Sequence, residues 1–220
     1  MEKQDSSRAW LVVGLVVVVV SAVALAPSVG AYPTCLDLMP TADLAGARTV
    51  CLQVEADGHD TPFSPGTGVH LFTEVGVTDW LEIGADLTDL NGEVEPFLDA
   101  KVLLAAETAR TPALSVGIYT LGDPGPAQVY LALAKQAGDF RAHTGLTTDG
   151  TARGMFGLEW AAGERTAVLA DWVTGPEAYH TLGVCQDLGG GFGGLLYYAR
   201  SNTAATEDFV GLNVAWEGSW

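Results

Sequence analysis

The ten residues GLNVAWEGSW, Gly211 to Trp220, alternate: Leu212, Val214 and Trp216 fall on one side of an extended chain, and Asn213, Ala215 and Glu217 on the other. A pleated strand sends successive side chains to opposite faces, so this stretch reads as a half-buried β-strand with one apolar face. The same period runs upstream. TVCLQVEA sets Val50, Leu52, Val54 and Ala56 against Thr49, Cys51, Gln53 and Glu55; DWLEIGADL sets Leu81, Ile83, Ala85 and Leu87 against Trp80, Glu82, Gly84 and Asp86. FLDAKVLL and PALSVGIYT repeat the alternation over Leu98–Leu104 and Leu114–Ile118.

Turn signals of Gly, Pro and Asp divide the rest into about twelve strands: 48–56, 67–76, 79–88, 95–105, 112–121, 127–137, 139–148, 153–162, 164–174, 178–187, 191–200 and 207–217. No amphipathic helix interrupts them, which excludes parallel βαβ architecture and leaves an antiparallel meander. Tight links such as GVTD, AGD and AGE alternate with wider ones such as GHDTPFSPGTG, LGDPGP, TDGTA and SNTAATE. AAETARTP breaks this rhythm, being too long for its place among the tight links.

The first 31 residues read as an export signal. Met1–Arg8 is polar and carries Lys3 and Arg8, Ala9–Leu25 is apolar, and APSVGA offers a small-residue cleavage site before Tyr32. The alternative is an uncleaved anchor, since such a run sits at the lower edge of bilayer-spanning length. Removal takes two acids and two bases and leaves the net charge at −17. Such a chain will not bind nucleic acid or an anionic surface by charge. The expected organisation is a signal peptide over 1–31, a periplasmic N-terminal segment over 32–47 and a barrel over 48–220.

A strand of about ten residues at ~3.3 Å each, tilted by about 40°, covers roughly the 25 Å apolar band of a membrane barrel. The expectation is therefore all-β: one antiparallel up-and-down transmembrane β-barrel of about 12 strands in the outer membrane, surrounded by lipid. A soluble exported β-sandwich that binds a ligand shares the period but turns its apolar face inward. One strand face carries Glu55, Glu74, Glu82, Asp86, Asp99, Lys101, Arg141, Glu159 and Asp171; the other is almost purely aliphatic and aromatic.

The last strand resembles that of bacterial outer-membrane barrels, which ends on an aromatic residue after alternating apolar ones. Val210, Leu212, Val214, Trp216 and Trp220 hold that parity, with Gly218 as the departure. The resemblance implies a recognition segment for the barrel-assembly machinery. Asp99–Leu146, with an Asp-x-Lys strand, PALSVGI, a Tyr-Leu-x-x-x-Lys strand and a Gly-Asp-Phe turn, is similar to a segment of the YjbH-like exopolysaccharide-associated barrels, whose members are much longer. It covers about a quarter of the chain and has no catalytic motif. It implies a role beside cell-surface polysaccharide, with polysaccharide-export components as partners, or simply shared barrel ancestry.

Seven charged residues are the expected lumen: Glu82, Asp86, Asp99, Lys101, Arg141, Glu159 and Asp171. Hairpin geometry sets Glu82 opposite Lys101, Asp86 near Phe97, and Arg141 near Glu159. Either the lumen is a dry, salt-bridged filling, because unpaired buried charge is costly, or it is a water-filled, cation-attracting pore. A third reading, a barrel lipid hydrolase, needs a serine within reach of a histidine. Expected neighbours of His70 (Gln53, Ala85), His143 (Leu133, Leu158) and His180 (Ala170, Leu196) include no serine, so no catalytic residue is expected. His59, beside Asp57 and Asp60, reads as a solvated loop; no metal or cofactor is expected. LGGGFGG reads as a periplasmic turn. Cys35 and Cys51 form the candidate disulfide, with Cys185 the rival partner.

Overall fold

The computed structural model describes residue 36, residues 39–122 and residues 126–220. The expected signal peptide lies outside the described residues. No helix is present among them. The strands are β1 (Thr49–Gly58), β2 (Gly68–Thr78), β3 (Leu81–Thr88), β4 (Glu95–Ala105), β5 (Ala113–Leu121), β6 (Gln128–Ala137), β7 (Phe140–Thr148), β8 (Ala152–Ala161), β9 (Thr166–Val173), β10 (Tyr179–Gly189), β11 (Phe192–Ser201) and β12 (Phe209–Ser219).

Each strand pairs antiparallel with its sequence neighbour, and β1 pairs with β12 from Thr49↔Ser219 to Gly58↔Val210, closing an up-and-down barrel. Closure removes the exposed edges that an open sheet must otherwise protect. Both β1 and β12 reach the end where β2–β3, β6–β7 and β10–β11 are joined by two-residue links. At the β10–β11 link Gly189, Gly190 and Gly191 all have positive φ, a conformation that side chains with a Cβ resist. The 106–112 link between β4 and β5 is the long exception at this tight-turn end. At the opposite, wide-loop end the TDGTA link is shorter than its sequence suggested, because β7 and β8 extend into it and leave only 149–151.

The two strand faces sort by chemistry. Leu98, Leu146, Leu158, Leu182, Val184 and Leu196 point outward and are exposed; Leu182 has 62% of its surface uncovered. Trp80, Phe140, Trp160 and Trp220 are exposed at the tight-turn end, where Phe140 and Trp160 stack at 6.3 Å. Trp172 and Tyr198 are exposed toward the wide-loop end and reach back with polar tips to Asn202 and Asp208. Rings with an apolar body and one polar handle suit a membrane–water boundary. Tyr197 lies on the other face, buried inside the barrel against Gly211.

The inner face is filled in two ways. Where side chains are small, as at Ala113, Ala132 and Ala134, Tyr130 and Met155 close the space. The rest is closed by the chain itself. Met39, Thr41, Ala42 and Ala45 are buried inside the barrel, so the expected periplasmic segment 32–47 is, over residues 39–46, an internal plug entering from the tight-turn end. It lies inside because the small inner residues and Gly76 leave it room. A Cβ built at Gly76 would fall on the carbonyl oxygens of Ala45 and Gly46.

Candidate functional site

The period-two pattern of β3 and β4 brings Glu82, Asp86, Asp99 and Lys101 onto one stretch of inner wall. The register pairs Glu82 with Lys101 and Asp86 with Phe97, as the hairpin predicts. Lys101 Nζ lies 2.7 Å from Glu82 Oε1, and the other carboxylate oxygen of Glu82 accepts the backbone N–H of Ala45 at 2.5 Å. Glu82 is thus held by a barrel strand and by the plug together. Asp99 faces Gly84, over which its carboxylate lies; any side chain at Gly84 would collide with it.

These groups line a cavity of about 280 Å³ between the plug and strands β1–β6. Its described lining includes the carboxylates of Asp43, Glu55, Glu74, Glu82, Asp86 and Asp99 and one ammonium, that of Lys101. Glu55 and Glu74 belong to the charged face visible in the sequence. The cavity is therefore strongly acidic. Such a chamber attracts cations and repels anions.

Arg141 takes a different partner from the one its register suggests. Glu159 is its cross-strand neighbour, but the guanidinium turns to the plug and to the 106–112 link. Its Nε donates to Asp43 Oδ2 at 2.8 Å, its Nη2 binds the other Asp43 oxygen, and its Nη1 donates to Glu107 Oε2 at 2.8 Å. A bidentate carboxylate on one edge leaves the remaining donors for a second acid. Glu159 instead lies 2.8 Å from Nε2 of His143, whose side chain is fully buried. Leu36 and Met39 pack over Gly157 beside this pair. Asp171 accepts the hydroxyl of Thr181.

Glu107 was not among the residues singled out from sequence, although the anomalous length of its link pointed there. Its Oε1 accepts Lys135 Nζ at 3.1 Å and the backbone N–H of Gln136 at 3.0 Å. The Gln136 amide first, then Arg141, pull its carboxyl down from 4.5 to about 2. The stability it lends is present above the ordinary carboxyl range and is lost as pH falls toward about 2. At the wide-loop end, the Tyr198 hydroxyl and the Ser201 amide likewise hold Asp208 below its usual value.

The histidines find neighbours shifted from the expected ones. His70 pairs in register with Glu55 and binds Asp57, His143 faces Ala134 and Gly157, and His180 faces Trp172 and Arg200. Ser115 gives its hydroxyl to the carbonyl of Ala42 at 2.7 Å. His59 pairs with Glu207 across exposed loops. Of the candidate disulfide, Cys35 lies outside the described residues. Cys51 is buried on the inner face of β1, and Cys185 is disulfide-bonded.

On β12, Val210, Leu212, Val214 and Trp216 share the outward parity, opposite Gly211, Asn213, Ala215 and Glu217, and Trp220 follows just past the strand's end, exposed. No family model matches the sequence, and no curated protein does. Solved structures to which the chain is similar include the translocator domain of the autotransporter NalP from Neisseria meningitidis, at 14% identity and a TM-score of 0.46, covering 80% of this chain and 89% of that one. Another is the N-terminal β-barrel domain of Pseudomonas aeruginosa OprF, at 12% identity and a TM-score of 0.27, covering 79% of this chain and 99% of that one.

Proposed function

We propose that the chain is an integral outer-membrane β-barrel forming a small cation-preferring channel, held shut by residues 39–46. One observation carries this reading: the exposed face is aliphatic and aromatic while the inner face places carboxylates around a cavity. A water-soluble sandwich or lipocalin-like barrel requires the opposite sorting. Insertion by the barrel-assembly machinery, with the outward residues of β12 as the recognised segment, belongs to the same proposal. The role beside cell-surface polysaccharide rests on the Asp99–Leu146 resemblance alone. No hydrolytic role is proposed: His70 pairs with Asp57, His143 with Glu159 and His180 with Asn202, and Ser115 is committed to Ala42.

The test has two arms. In lipid vesicles a lipid-soluble maleimide should label Leu131→Cys on the outer face and leave Ala132→Cys, its inward neighbour, unmodified. Equal labelling, or a stable monomer without detergent, would sink the membrane reading. For the channel, a variant lacking residues 39–46 should conduct across a planar bilayer. Under a KCl gradient its current should reverse near the potassium equilibrium potential; reversal near the chloride potential would overturn the cation preference.

A further inference from the structure

Two-residue links suffice at three of the five turns on the tight-turn end, yet 106–112 is long and internally braced. Thr108 and Thr111 share a hydroxyl–hydroxyl bond at 2.7 Å. The Thr108 hydroxyl also accepts the N–H groups of Arg110 and Thr111, and the Thr108 N–H donates to the Thr111 carbonyl. Lys135 of β6 clamps the turn from outside by binding Glu107 and the Thr108 carbonyl. This bracing delivers one carboxylate, Glu107, to Arg141. Building on the plugged-barrel reading, we propose that the 106–112 turn is the latch of the plug, and that Glu107 is a positioning residue which commits Arg141 to Asp43 rather than to Glu159.

The argument is one of competing partners. Arg141 stands in register with Glu159, the acid a strand arginine meets by default in an antiparallel pair. In the closed barrel it ignores that neighbour because Glu107 takes Nη1 from the mouth side and turns the Nε–Nη2 edge toward Asp43. Remove the charge at Glu107, and Glu159 becomes the strongest acceptor for the freed end of the guanidinium. Asp43 then loses its bidentate partner. The plug's other bonds to the barrel wall include Ala45 to Glu82 and Ser115 to Ala42, each a single hydrogen bond. The latch pairs also differ from those anchors in access. The side chains of Asp43, Arg141 and Glu107 keep 18–23% of their surface exposed at the mouth, whereas Glu82 keeps 2%.

The experiment reads the plug directly. Ala42→Cys places a thiol where the native residue is fully buried. Its modification by a charged, water-soluble maleimide is followed in the full chain in vesicles, with heat-modifiable gel mobility showing that each barrel is closed. Adding Glu107→Gln should raise the rate roughly tenfold, the equivalent of one lost charge-assisted hydrogen bond. Glu159→Gln, which removes the alternative charge for Arg141 while keeping an oxygen for His143, should leave the rate unchanged. Arg141→Gln breaks the latch from its other side and should accelerate labelling as Glu107→Gln does, with no further gain when the two are combined. A rate in Glu107→Gln or Arg141→Gln equal to that of the parent overturns the latch. Accelerated labelling without any current upholds the latch and sinks the channel reading instead.

Discussion

Lys101→Met is expected to destabilise the barrel by about 3–5 kcal/mol, the usual consequence of removing one partner from a buried ion pair. Methionine nearly matches the lysine stem in volume, so the loss is electrostatic rather than steric. The ammonium lies 2.7 Å from Glu82, whose side chain is 2% exposed, and Asp99, Asp86 and Glu74 line the same cavity. Without it Glu82 keeps the Ala45 amide but no counter-charge. Adding Glu82→Gln should recover more than half of the loss, since a glutamine oxygen still accepts from Ala45 while the buried charge is gone. Denaturant midpoints in the same micelle or vesicle measure both. A loss below about 1 kcal/mol would mean that water screens the pair as it does at a surface.

The second large effect comes from a residue with no side chain. Gly76→Leu places atoms where the carbonyl oxygens of Ala45 and Gly46 now sit, and these are backbone atoms that cannot rotate aside. Residues 45–46 must shift from their seat, giving up the Ala45–Glu82 bond and straining the neighbouring Ser115–Ala42 bond, while Asp43 can stay on Arg141. With each bond worth about 1–1.5 kcal/mol, labelling of Ala42→Cys should accelerate by up to roughly a hundredfold. The barrel's own ladder is untouched, so gel mobility should still report a closed barrel. Val77→Leu, at the exposed outward neighbour, should do nothing. Slow labelling in Gly76→Leu would show that the segment is not seated against β2.

The barrel was legible because strands announce themselves locally. Each of the twelve carries its period within about ten residues, and two faces of opposite chemistry fix its register relative to the core. Glu82 opposite Lys101 followed from a hairpin of known turn length. The histidine neighbours are harder to read, because an error of a residue or two in a turn, or a β-bulge such as that between Gly76 and Thr78, shifts every later pairing of that hairpin. The plug was illegible for another reason. MPTADLAGA has no period, and its contacts join residues 37, 73 and 98 positions apart. For the same reason Arg141 was assigned to Glu159: strand pairing sets which backbones are neighbours, but a long guanidinium can follow a charge that arrives from elsewhere. The length of AAETARTP was the one visible trace of this arrangement, and its meaning required the fold.

The plug also bears on how fast the molecule comes apart. Asp43 precedes every strand, yet its partner Arg141 lies on β7, and Ala42 is held from β5. The segment can therefore make these contacts only once β5 and β7 are in place, which puts them late among the contacts of folding. Contacts formed after the rate-limiting step leave the folding rate alone and act on unfolding. Asp43→Asn should quicken unfolding in denaturant jumps while refolding proceeds at the parent's rate, making these few residues a brake on dismantling the barrel rather than a guide to building it.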